Sequence, residues 1–173
     1  MSNLINHIRT VPDFPIPGVL FYDITTLIQD GTLFQEVITQ LADKSKQWGK
    51  IDLIAAPEAR GFIFAAPLAD RLGAGLIPIR KPGKLPFKTV SKSYDLEYGT
   101  NTIQMNVDAV KTGDRVLMVD DLLATGGTME ACRQLVHESG GVVAGALFVI
   151  ELLALKGRER IKTTDIETLL QLP

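Results

Sequence analysis

The chain has 173 residues, 46% of them hydrophobic and 22% charged, which fits one ordinary globular domain and excludes wholesale disorder. Eighteen Lys and Arg against twenty Asp and Glu leave a net charge of −2, so no basic field exists to hold nucleic acid or an anionic membrane. A single cysteine, Cys132, excludes an internal disulfide, and two histidines, His7 and His137, argue against a structural zinc site. No apolar run is long enough to span a bilayer, and the polar start, Met1–Thr10, lacks the apolar core of a signal peptide. A cytoplasmic location is the expectation.

Strand-like and helix-like segments alternate along the chain, which predicts an α/β domain with a mostly parallel, doubly wound sheet. Leu4, Ile5 and Ile8 suggest a short first helix. Val11–Gly18 carries three prolines and a glycine and is expected to be irregular, with a short extended piece over Val19–Ile24. Thr32–Trp48 has Leu33, Phe34, Val37, Ile38 and Leu41 on one helical face, and Thr32 with Gln35 fits a capping box. A strand over Ile51–Ala56, a helix over Gly61–Leu72 capped by Gly73, and a strand over Leu76–Ile79 follow. The segment 80–99 is long, polar and broken by Pro82, Gly83 and Pro86, which predicts a lid-like loop. Thr102–Val107 alternates as a half-exposed strand, and Val116–Val119 is the continuous apolar run of a central parallel strand. A helix over Thr128–Ser139, a buried strand over Val142–Ile150, a short helix over Leu153–Arg160 and an edge strand over Ile166–Leu172 complete the pattern. Cys132 and Trp48 read as packing residues, and the two histidines as structural or exposed.

The chemistry concentrates in Val116-Leu-Met-Val-Asp-Asp-Leu-Leu-Ala-Thr-Gly-Gly-Thr128: an apolar strand, two acids, a small-residue loop and a helix start. Such loops sit at the carboxyl edge of an α/β sheet, where ligands bind. Gly126 and Gly127 let backbone N–H groups approach an anion, the helix N-terminus favours a phosphate, and Thr125 and Thr128 add hydroxyl donors. Asp120 and Asp121 repel a phosphate and need a hydroxyl, metal or cationic partner instead. A loop that holds phosphate beside a sugar-binding acid pair describes a ribose 5-phosphate site. Neither a P-loop pattern nor a dinucleotide fingerprint after a strand occurs.

Val119–Thr128 resembles the phosphoribosyl pyrophosphate signature of type I phosphoribosyltransferases. Three further segments resemble the branch of that family that acts on adenine. Pro12-Asp-Phe-Pro-Ile-Pro-Gly-Val-Leu-Phe21 is similar to its N-terminal hood, which would span about 1–30. Ile79-Arg-Lys-Pro-Gly-Lys-Leu-Pro86 and Ser93-Tyr-Asp-Leu-Glu-Tyr-Gly99 are similar to the two ends of its flexible lid loop, about 80–99. The resemblance covers nearly the whole chain in matching order. It implies transfer of the phosphoribosyl group to adenine, giving AMP and pyrophosphate. Mg2+ would come mainly through phosphoribosyl pyrophosphate, with no direct protein ligand. A homodimer is implied, with no nucleic-acid or membrane partner.

The same resemblance assigns roles. Asp120 and Asp121 serve the sugar side, and Ala124, Thr125, Gly126, Gly127 and Thr128 hold the 5-phosphate. Arg60, in Glu58-Ala-Arg-Gly61, and Arg80, Lys81 and Lys84 meet pyrophosphate, while Lys88 and Lys92 read as solvated. Glu97 handles the proton on the imidazole ring of adenine as a general base, and Tyr98 closes over the sugar. Phe21 stacks on adenine beside the backbone of Leu20; Tyr22 stands where many members carry Arg. The Glu58–Ala59 peptide is expected to be cis. Two alternatives stay open: another purine base, or a nucleic-acid-binding regulator that senses phosphoribosyl pyrophosphate.

Overall fold

The computed structural model describes residues 4–95, 99–161 and 165–173. Within it the chain divides into two units, Met1–Gln40 and Leu41–Pro173.

The first unit opens with a 3-10 turn, Leu4–His7, followed by strands β1 (Arg9–Pro12) and β2 (Leu20–Asp23), helix α1 (Thr25–Gln29) and the start of helix α2 (Gly31–Ser45). β1 and β2 pair antiparallel, with Val11 opposite Phe21 and Pro12 opposite Leu20. Regular structure therefore reaches into the proline-rich segment by two residues. Pro12 is tolerated because it ends an edge strand, where no ladder donor is needed. The cap of α2 also differs from expectation. Asp30, not Thr32, closes the helix: its Oδ1 accepts from the N–H groups of Thr32 at 2.8 Å and Leu33 at 3.0 Å. A carboxylate at the N-cap satisfies two orphan donors and meets the positive end of the helix dipole.

The second unit is built on five strands: β3 (Leu53–Pro57), β4 (Gly75–Ile79), β7 (Arg115–Leu123), β8 (Val142–Leu152) and β9 (Ile166–Leu172), in the order β4-β3-β7-β8-β9. All four pairings are parallel. Helix α3 (Gly61–Leu72) connects β3 to β4, and α4 (Gly127–Glu138) connects β7 to β8. The two crossovers run outward in opposite directions from the β3–β7 pair. Right-handed crossovers then put α3 and α4 on opposite faces. Burial on both faces explains the uninterrupted apolar run of β7, where Val116, Leu117, Met118 and Val119 are all fully buried. The reversal of strand order between β3 and β7 opens the crevice in which ligands of such sheets bind.

The described part of the segment, residues 80–95 and 99, is more regular than expected. Strand β5 (Thr89–Asp95) pairs antiparallel with β6 (Thr100–Asn106), and Ile103 and Met105 of β6 join the core beside Leu135 and Val136 of α4. Val90, Lys92 and Tyr94 alternate inward from the more exposed Ser91, Ser93 and Asp95. This period of two is hidden by the polar composition. Lys92, expected to be solvated, pairs with Glu138 of α4. Helix α3 follows the expected bounds, with Gly73 left-handed at its end (φ 64°). Trp48 is buried as expected, and a Cβ on Gly145 would come within 2.3 Å of its ring. A 3-10 turn (Leu153–Leu155) and the single helical turn α5 (Gly157–Arg160) lie between β8 and β9. Among the described residues, no helix is long and apolar enough to cross a membrane.

Candidate active site

β7 runs on to Leu123, so Asp120 and Asp121 lie within the strand and Leu122 and Leu123 separate them from the loop. The loop itself is only Ala124–Gly126. Gly126 takes φ +79°, and a Cβ there would lie 2.4 Å from the carbonyl oxygen of Gly157. Gly157 answers in kind: its Cβ would fall 2.2 Å from the carbonyl oxygen of Ala124. Loop and α5 thus meet backbone to backbone, which only paired glycines allow. α4 then begins with no side-chain cap, leaving the N–H groups of its first turn for a ligand. The result is a concavity of about 80 Å³ lined by Asp120, the loop, the start of α4 and Phe148.

Asp121 lies inside the protein, and Asp120 is partly exposed at the concavity. Asp121 is 3% exposed, and the Asp121 N–H donates to Asp120 Oδ1 at 2.9 Å. Arg60 Nε lies 2.9 Å from Asp121 Oδ2, an ionic contact; no hydrogen-bond donor is aligned on that oxygen among the described residues. Burial pushes the Asp120 carboxyl well above its ordinary range, and the charge of Asp121 adds to the effect. Burial also raises Asp121, against the pull of Arg60. Gly61, the first residue of α3, makes room for this pair, since a Cβ there would lie 2.9 Å from Asp120 Oδ1. The Cys132 thiol is pushed up by burial and then by the Asp120 charge, which makes it an inert core group.

The adjoining strand β3 ends at Pro57, and the Glu58–Ala59 peptide that follows is cis, as expected. Glu58 accepts from the Lys81 N–H at 2.6 Å and from Arg80 Nε and Nη2 at 3.0 and 2.9 Å. Burial works against the Glu58 charge, but the Lys81 N–H and the Arg80 guanidinium outweigh it and hold its pKa below the usual value. Arg80 Nη1 also donates to the Lys84 carbonyl at 3.1 Å.

The structure thus brings together Arg60, Asp120, Asp121 and the loop Ala124, Thr125, Gly126, Gly127 and Thr128. Arg80, Lys81 and Lys84 form a second group around Glu58. Leu20, Phe21 and Tyr22 lie on β2 of the first unit, where the Phe21 ring meets Phe14 edge-on at 5.0 Å. Glu97 and Tyr98 lie outside the described residues. Sequence reading passed over Glu58, Gly61, Tyr94, Gly157 and Arg160. Tyr94 Oη is 3.0 Å from Thr128 Oγ1, and the Arg160 guanidinium lies over Gly127. Only Glu58 and Gly61 had a local signal, as neighbours of Arg60.

The chain is similar to known proteins over nearly its whole length. The model of the phosphoribosyl transferase domain matches residues 24–170. The adenine phosphoribosyltransferase of Maridesulfovibrio salexigens is 52% identical over 98% of this chain and 99% of its own length. That of Solibacter usitatus is 54% identical over 99% of this chain and 98% of its own. The crystal structure of the Thermoanaerobacter pseudethanolicus adenine phosphoribosyltransferase superposes with a TM-score of 0.95 at 49% identity, covering 99% of both chains. The Saccharomyces cerevisiae enzyme, crystallised with D-2,5-dideoxy-2,5-imino-altritol 1,6-bisphosphate and adenine, gives 0.91 at 36% identity over 98% of this chain and 97% of its own. This chain belongs to the phosphoribosyltransferase family, in its adenine phosphoribosyltransferase branch.

Proposed function

We propose that the crevice at the ends of β3 and β7 carries, in this chain, the reaction of that branch. The reaction transfers the 5-phosphoribosyl group from phosphoribosyl pyrophosphate to adenine and yields AMP and pyrophosphate, a purine-salvage step. One observation supports this reading above the others: an acid pair, with Asp121 buried, stands two residues before a glycine-bounded loop and a helix start that has no side-chain cap.

Bond breaking ahead of bond making puts positive charge on the ribose and negative charge on pyrophosphate. Asp120 and Asp121 face that first charge and the ribose diol; the low-dielectric surroundings of the pair strengthen each interaction, so both gain when a cationic sugar arrives. The N–H groups of the Ala124–Thr128 loop and the Thr125 and Thr128 hydroxyls hold the 5-phosphate. Arg60, Arg80, Lys81 and Lys84 meet the departing pyrophosphate. Glu97 takes the imidazole proton of adenine, and Tyr98 shields the sugar from water. Phe21 stacks on the base, the Leu20 backbone reads its edge, and Tyr22 offers a ring or hydroxyl contact.

Mg2+ fits these residues in a limited way. No group of three or more metal-ligating side chains occurs among the described residues, and the single acid pair suits an ion that keeps most of its ligands from diphosphate and water. When bound with the substrate, the ion would neutralise diphosphate charge. The family resemblance supports a homodimer, and a buried, unpaired Cys132 suits a reducing cytoplasm.

Pyrophosphate release tests the assignment, with phosphoribosyl pyrophosphate, magnesium and adenine, hypoxanthine, guanine, xanthine or uracil supplied separately. Release with adenine alone is expected, lowered about 10²–10³-fold in Asp120→Asn/Asp121→Asn and strongly in Glu97→Ala. Release with a different base would keep the chemistry and overturn the base. No release, with phosphoribosyl pyrophosphate still bound, would turn the reading to a sensor.

A further inference from the structure

Strand β5 reaches the phosphate loop at its far end. The Tyr94 ring packs on the loop, with Cδ2 only 3.4 Å from where a Gly127 Cβ would be. Its hydroxyl meets Thr128 Oγ1 at 3.0 Å, an alignment in which either oxygen could donate. Arg160 fixes the same strand end, donating from Nη2 to the Asp95 carbonyl at 3.1 Å while its guanidinium lies over Gly127. The hairpin itself has seven cross-strand pairs, from Thr89–Asn106 to Asp95–Thr100.

A threonine hydroxyl has one proton. If Thr128 gives it to Tyr94, it has none for an anion in the loop. If Tyr94 is the donor, the Thr128 proton is free to point at a phosphate oxygen. We propose that Tyr94 is a positioning residue for the phosphate site: it donates to Thr128 Oγ1 and so directs the Thr128 proton onto the 5-phosphate of the substrate. This rests on the assignment of the Ala124–Thr128 loop to that phosphate. The chain Tyr94 O–H to Thr128 O–H to phosphate is polarised in one direction, so each bond strengthens the next. By the same linkage, an occupied loop holds the end of β5 more firmly than an empty one.

The test is a double-mutant cycle on the affinity for ribose 5-phosphate, measured by calorimetry on the full chain. Tyr94→Phe keeps the ring and its packing, so folding is preserved. It is expected to weaken ribose 5-phosphate about 3–10-fold, the worth of one hydrogen bond in such a chain. In a Thr128→Val background the same change is expected to have no further effect, because the proton it directs is gone. In turnover, Tyr94→Phe is expected to raise the KM for phosphoribosyl pyrophosphate and leave the KM for adenine as it was. A merely structural tyrosine would cost the same in both backgrounds and move both constants, which would overturn the proposal. So would an affinity within 2-fold of the original chain, given the hydrogen-bond worth above. If the original chain binds no ribose 5-phosphate at all, the phosphate assignment of the loop falls first, and this inference with it.

Discussion

Glu58 follows β3 and the Asp120–Asp121 pair lies near the end of β7, the strand beside it, yet the two carboxylate groups are stabilised in opposite ways. Glu58 is surrounded by donors of its own chain: the Arg80 guanidinium takes one oxygen and the Lys81 N–H the other. Its charge is satisfied before any ligand arrives. Asp120, partly exposed, lies against the buried Asp121, whose N–H donates to Asp120 Oδ1, and Arg60 is the cationic neighbour. Their charge is poorly compensated, and burial raises both carboxyls. The first arrangement contributes stability. The second costs stability and is of use only to a ligand that brings hydroxyls or positive charge, a common trade at functional sites. A single crevice therefore holds one carboxylate whose charge the chain's own donors satisfy and one acid pair that they do not.

The strongest way to break the second arrangement is to disturb the loop beside it. In Gly157→Ala the new methyl would stand 2.2 Å from the Ala124 carbonyl and 2.8 Å from Leu123 Cδ1. The nearer atom is backbone and cannot swing aside, so the loop itself must move. We expect a loss of about 1–3 kcal/mol in stability, the usual cost of overpacking. Ribose 5-phosphate affinity should fall at least tenfold, since about 1.4 kcal/mol of distorted contact suffices for that. Calorimetry and thermal melts would read both. Full affinity in this variant would mean that the loop does not depend on α5.

Titration sharpens the contrast, because the two arrangements should respond with opposite sign. Glu58 has a lowered folded-state pKa, so its contribution is present above the ordinary glutamate value and is lost as pH falls through the folded value. Glu58→Gln should therefore destabilise the chain at pH 7, by about 1–2 kcal/mol for lost charged hydrogen bonds, and match the parent in acid. Asp120 has a raised folded-state pKa. Its contribution is present below the ordinary aspartate value and is lost as pH rises through the folded value. Asp120→Asn should melt higher than the parent at pH 7, by about 2–4 °C for each kcal/mol regained, with the gain vanishing below about pH 4. Melting curves from pH 3.5 to 8 would decide. A fall in Tm for Asp120→Asn at pH 7 would show that the aspartate is compensated after all.

What could be read without the structure was what is contiguous in the chain. Val116–Val119 announced a strand covered on both faces, and Asp120–Thr128 carried strand, acids, loop and helix start in one string. The bounds of α3 were readable because Gly61 and Gly73 punctuate it. What escaped depends on distant partners or on masked periodicity. Glu58 meets Arg80 from across β3 and β4, and Gly157 and Arg160 meet the loop only because α5 folds back on it. Strand β5 was hidden because its inward positions include Lys92, whose charge Glu138 neutralises. Thr32 looked like a cap because threonine is a good one, but Asp30 lay two residues earlier and completes the same role with a charge.

That last ion pair supplies the smallest effect and a control for the rest. Lys92 and Glu138 bridge β5 and α4 at the surface, with Glu138 55% exposed. Exposed pairs contribute about 0.2–1 kcal/mol and less as salt rises. The same hairpin is also held by Ile103 and Met105, buried in the core with α4 residues. Lys92→Ala should therefore shift the melting temperature by no more than about 2–4 °C, less in high salt, and leave turnover with adenine unchanged. A larger, salt-sensitive drop together with a raised KM for phosphoribosyl pyrophosphate would mean that charge, and not the buried face of β6, seats the hairpin on α4. The position of Tyr94 over the phosphate loop would then depend on ionic strength as well.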